Sequence, residues 1–134
     1  MIIQEGVALT SSQLVDARKI EIAEPDRVRL RVVDEISFSL PPLLRKIGER
    51  TGLISPFTVG LTLRYGIFIR SDHWGEQRLV VHELAHTAQY ERLGGFRPFL
   101  KEYLFECMTP PGYPFGVLEQ EAKRIENEIC GAHL

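Results

Sequence analysis

The sequence predicts an α+β domain, with a small mixed or antiparallel sheet packed against a histidine-bearing helix and a glutamate-bearing helix near the C-terminus. Three observations predict it. Residues 27–33 and 57–69 alternate apolar with polar side chains at the two-residue period of a strand. Residues 76–93 run without Pro or Gly, hold two histidines four apart and stop at Gly94-Gly95. Residues 96–108 and 117–129 carry apolar side chains at helical spacing.

At 134 residues the chain reads as one domain, 1–134, long enough to bury a core of its own. Its composition, 44% hydrophobic and 25% charged, is that of a globular protein. A net charge of −2, with signs mixed along the chain, implies neither a nucleic-acid surface nor attachment to an anionic membrane. Residues 1–6 lack the basic start and apolar core of a secretory signal, and no apolar run approaches membrane-spanning length. Cys107 and Cys130 are the only cysteines and form no Cys-x-x-Cys pair, so they read as free thiols in a reducing compartment. The cytoplasm is the expected location.

In chain order, Thr10-Ser11-Ser12 signals a helix start, and Leu14, Val15, Ala17 and Arg18 fit a short helix after it. Residues 20–23 read either as a strand or as more of that helix, until Pro25-Asp26 breaks the pattern. In residues 27–33, Val28, Leu30 and Val32 face inward, and the arginines between them form a solvated strand face. Pro41-Pro42 opens a helix that closes near Gly52, with Leu43, Leu44 and Ile47 in the core. Val59, Leu61 and Leu63, then Ile67 and Ile69 after Gly66, give two short strands or one bent strand. Such a strand offers an exposed edge to which an extended peptide can add. Ser71 or Asp72 would cap the next helix. In the last two helices Phe99, Leu100, Tyr103 and Leu104, then Val117, Leu118, Ala122, Ile125 and Ile129, form the apolar stripes. The Pro/Gly-rich residues 109–116 between them form a loop.

The chemistry sits in residues 79–90, which contain His-Glu-x-x-His. Four residues along a helix leave side chains about 40° apart, so His82 and His86 share one face. Their imidazoles can reach a single ion, and imidazole suits zinc. Glu83, about 100° round from His82, is poorly placed to ligate but able to take a proton from water held there. The bland alternative is a pair of core histidines hydrogen-bonded to protein with no metal at all.

A hydrolytic zinc needs a third protein ligand and an open position. The residues after His86 supply no third histidine at short spacing, and His133 lies at the fraying end. The acidic stretch Leu118-Glu119-Gln120-Glu121-Ala122-Lys123 remains. With it, the sequence resembles a small bacterial zincin-like metallopeptidase of the gluzincin type, in which a glutamate on a second helix is followed one turn later by an alanine. The resemblance spans residues 57–126 and implies a zincin-like fold and a Zn2+ cofactor. It implies ligation by His82, His86 and Glu119, with Glu121 as the competing ligand. Lys123 stands where the family carries an acidic or amide residue that supports a ligand histidine, a departure from the pattern.

The expected activity is zinc-dependent hydrolysis of a peptide or amide bond in a peptide or protein substrate, using a metal-bound water with Glu83 as general base. Tyr113 and His73 are candidate donors to the developing oxyanion. Gln89, one turn beyond His86, is placed to hydrogen-bond near the site, and Tyr90 to pack. The alternative is a catalytically weak zincin-like domain, a regulatory or binding module built on a structural zinc.

Overall fold

The computed structural model describes residues 6–36, 40–51, 58–110 and 116–131. Among them the chain is α+β, with five α-helices and a four-stranded mixed sheet. Strand β1 (Val7–Ala8) leads into helix α1 (Ser11–Lys19) and, after a 3-10 turn at Pro25–Arg27, into β2 (Arg29–Val33). Helix α2 (Pro42–Thr51) precedes the hairpin β3 (Gly60–Leu63) and β4 (Gly66–Arg70). Helices α3 (Gln77–Arg92), α4 (Phe96–Met108) and α5 (Val117–Cys130) complete the chain.

The strand order is β1-β2-β4-β3. β2 and β4 run parallel, Leu30 opposite Ile67, whereas β1–β2 and β3–β4 are antiparallel. Parallel pairing requires a crossover, which the residues between β2 and β4 provide through α2 and β3. β3 ends the sheet. Helix α3 lies on β3 and β4, and α5 packs along α3 from the other side. Ile67 and Ile69 of β4, Val28 and Leu30 at β2, Ala17 of α1, and Val80 and Leu84 of α3 form the main core. A second apolar cluster joins Phe99 and Tyr103 of α4 to Leu118 of α5.

Residues 20–23 are neither strand nor helix. They form the end of α1, with Glu21 in the left-handed region at φ 72°. The Ile22 N–H donates to the Ala17 carbonyl and the Glu21 N–H to that of Arg18, a Schellman closure that tucks Ile22 against Ala17 in the core. Glycine usually occupies that turn; a glutamate there left no signal. α1 starts as expected, with a reciprocal capping box between Thr10 and Gln13. α3 starts later than expected, at Gln77. Ser71 and Asp72 belong to a 3-10 turn instead, with Ser71 bonded to Asp34 and Asp72 to Arg70. Gly75, at φ 90°, turns the chain between that 3-10 turn and the helix.

Some apolar assignments also change. Val32 is 55% exposed, Leu43 69% and Val117 73%, so none of these is core. On β3 the buried residue is Thr62, under α3, while Leu61 and Leu63 face an apolar cavity shared with α2 and α4. Both faces of this strand are covered, and simple alternation does not distinguish them. Gly52, Phe57, Tyr113 and His133 lie outside the described residues. No helix among the described residues is long and apolar enough to cross a membrane.

Candidate metal centre

Helix α3 presents two different faces. Val80, Leu84 and Ala88 pack toward the sheet. The opposite side, with His82 and His86 one turn apart, meets α5. The two imidazoles stand edge to face with centroids 5.1 Å apart. Both point Nε2 at one carboxylate, that of Glu119: His82 Nε2 contacts Oε1, and His86 Nε2 lies 3.4 Å from Oε2. The three potential ligand atoms lie within 4.8 Å of one another. An ion held tetrahedrally at about 2.1 Å would want donors about 3.4 Å apart, so the spacing of this set is of the order a zinc ion would need.

The outer nitrogens are held from behind. His82 Nδ1 lies 3.1 Å from Glu126 Oε1, and Arg78 donates to the other oxygen of Glu126 at 2.8 Å and to Asn127 at 3.1 Å. His86 Nδ1 lies 2.8 Å from Gln89 Oε1. Gln89 is fully buried, and its Nε2 donates to the Leu118 carbonyl and to Glu121 Oε1, each at 2.8 Å. Ligand-bearing imidazoles need such partners to fix ring orientation and tautomer. Glu121 therefore does not meet the histidine Nε2 atoms; it pairs with Arg92 at 2.9 Å and reaches the centre only through Gln89. Lys123 is exposed, and support for His82 comes from Glu126, two helical turns beyond Glu119.

Burial alone would push His82 toward its neutral form. The hydrogen bond to Glu119 and the charges of Glu83, Glu119 and Glu126 overcome that and lift its pKa to about 9. Burial opposes the charged form of His86 too, and Glu119 and Glu83 raise its pKa. Burial would raise Glu119, yet the two histidines hold its carboxyl far below the usual range. Burial likewise opposes ionisation of Glu126, and Arg78 keeps it low. The cluster is a concentration of anionic oxygen and basic nitrogen, the donor set that a divalent cation such as zinc would stabilise.

Around this centre is a cavity of about 80 Å³. Its polar side is made by His82, Glu83, His86, Tyr103 and Glu119; β3 and Phe96, Phe99 and Leu100 supply the rest. Thr62 donates to Glu83 Oε1 at 2.7 Å and to the Glu83 backbone carbonyl at 3.0 Å. Gly60 lets the strand close on that carboxylate, since a Cβ there would fall 3.1 Å from Glu83 Oε2 and 2.9 Å from Leu79. The Tyr103 hydroxyl donates to Glu119 Oε2.

The structure thus brings together His82, His86, Glu83, Glu119 and Gln89. His73 bonds to Glu76 at 2.6 Å and does not line the cavity. Tyr90 packs edge to face on Tyr65, beside the second apolar cluster. Tyr103, Thr62, Glu126 and Arg78 escaped the sequence reading. The spacing of seven between Glu119 and Glu126, two helical turns on one face, was the one available signal. Compared with known proteins, the chain matches no family model, no curated protein and no solved structure.

Proposed function

We propose that the chain is a zinc-dependent hydrolase of peptide or amide bonds, with a zincin-like site in which His82, His86 and Glu119 hold the ion. One observation carries the reading: two imidazole Nε2 atoms converge with one carboxylate on a cavity that also holds Glu83. When bound, the ion supplies Lewis acidity toward a water molecule and a substrate carbonyl. Glu83, one oxygen held by the Thr62 hydroxyl, takes the proton from the attacking water and returns it to the leaving amine. Tyr103, on the cavity wall, turns its hydroxyl hydrogen from Glu119 to the developing oxyanion, the role for which Tyr113 and His73 are the sequence candidates. β3 supports a peptide substrate: among the described residues it pairs only with β4, and Gly60 to Leu63 line the cavity. An extended chain can add to its free side through backbone hydrogen bonds.

The test is metal analysis of untagged protein together with turnover of a peptide library and its loss with chelator. One zinc per chain is expected. Glu83→Gln is expected to keep the zinc and lose about 10²- to 10⁴-fold in kcat. A Glu83→Gln protein as active as the parent ends the general-base assignment. One zinc per chain with no turnover of any peptide favours the binding module instead.

A further inference from the structure

The amide of Gln89 has a defined orientation. Its Nε2 carries two hydrogens, and both are used, on the Leu118 carbonyl and on Glu121 Oε1. Both partners only accept. Turning the amide round would set its oxygen against two acceptor oxygens in a place where no water can intervene, because Gln89 is fully buried. The remaining group, Oε1, therefore faces His86 Nδ1 at 2.8 Å. A carbonyl oxygen cannot donate, so Nδ1 must carry the hydrogen, and the lone pair of neutral His86 lies on Nε2, toward Glu119. Arg92 bonds both oxygens of Glu121, at 2.9 and 3.2 Å, and so steadies the second acceptor.

We propose that Gln89 is a positioning residue: clamped between the Leu118 carbonyl and Glu121, its amide dictates which nitrogen of His86 carries the proton and so leaves Nε2 free to ligate. This rests on the metal reading above. It gives Glu121 a role without ligation. It also makes α5 act twice, supplying Glu119 to the centre and, through Leu118 and Glu121, the clamp that prepares a ligand on α3. The two histidines are served differently, His82 by an anchored carboxylate and His86 by a neutral amide.

The experiment compares zinc affinity of the parent, Gln89→Met and Gln89→Glu by competition with a chromophoric chelator, with the folded fraction followed by circular dichroism. Methionine fills the space but cannot accept from Nδ1–H. Glutamate keeps an accepting oxygen toward His86, while its second oxygen, set between the Leu118 carbonyl and Glu121, holds a proton and donates it to one of them. Gln89→Met should therefore bind zinc about 10- to 100-fold more weakly, and Gln89→Glu should stay within about threefold of the parent. Equal weakening in both, or none in either, overturns the proposal. A parent that binds no zinc overturns the metal reading and this proposal together; a parent with one zinc and variants of equal affinity overturns this proposal alone. If Gln89→Met does not fold, Glu121→Ala decides. Zinc should leave that variant a few-fold faster, and an unchanged dissociation rate overturns the clamp.

Discussion

The two faces of α3 solve different problems. Toward the sheet, Val80 and Leu84 meet Ile67 and Ile69 in a core of aliphatic side chains, where any close-fitting apolar residue contributes. Toward α5, the same helix offers Arg78, His82, His86 and Gln89, each bonded to a particular atom of Glu119, Glu121, Glu126 or Leu118. The first face tolerates approximate partners. The second leaves a buried charge or amide unpaired whenever one partner is lost. Stability should therefore reside mainly in the sheet side and metal affinity mainly in the α5 side.

The largest effect that would break this division is at Leu84, fully buried in the core. Leu84→Ala should cost about 2–5 kcal/mol in urea unfolding, while the protein that remains folded still takes up zinc with the parent's affinity. A large affinity loss would show that the two faces are not separable. Next comes Glu126→Ala, which removes the carboxylate behind His82 and the partner of Arg78. Chelator competition should show zinc binding weaker by about 10- to 100-fold.

Protons provide a third comparison. In the metal-free protein His82 holds its proton up to about pH 9, so below that pH zinc must displace it. Measured affinity should rise about tenfold for each unit of pH between 6 and 9 per proton released. The metal-free fold behaves in the opposite sense. A histidine pKa raised from 6.5 to about 9 on folding contributes stability that is complete below pH 6.5 and lost as pH rises through 9. Parallel pH series of zinc affinity and of chelated-protein stability should therefore slope in opposite directions over this window. The smallest effect is at Arg124, whose side chain is 64% exposed and reaches Glu121 and Glu128 only at 3.8 Å. Arg124→Ala should change stability by less than about 0.5 kcal/mol, and a larger change would mean that the outer surface of α5 contributes to the clamp.

Local chemistry was legible and partnership was not. The apolar rhythm of residues 96–108 and 117–129 marked α4 and α5 within a residue, and Gly94-Gly95 marked the end of α3, where Gly94 has φ 95°. His82 and His86 could be put on one face because four residues make nearly one turn. Glu119 is favoured over Glu121 only through the family resemblance, and its carboxylate is the one that meets both rings. The left-handed Glu21, the exposure of Val32 and the burial of Thr62 were not legible, because each depends on what another segment covers. Tyr103 read as one more apolar contact, since a phenol shows its polar end only once a carboxylate stands opposite. Lys123 puts the support of a ligand histidine in doubt; the carboxylate behind His82 is that of Glu126, seven residues beyond Glu119.

The bare Cα of Gly60 has one more consequence. A single methyl group there would meet Leu79 and press on the Glu83 carboxylate from the strand side. Alanine at that position is thus expected to disturb Glu83 while leaving the three candidate ligand side chains unaltered, a plug made of one carbon atom.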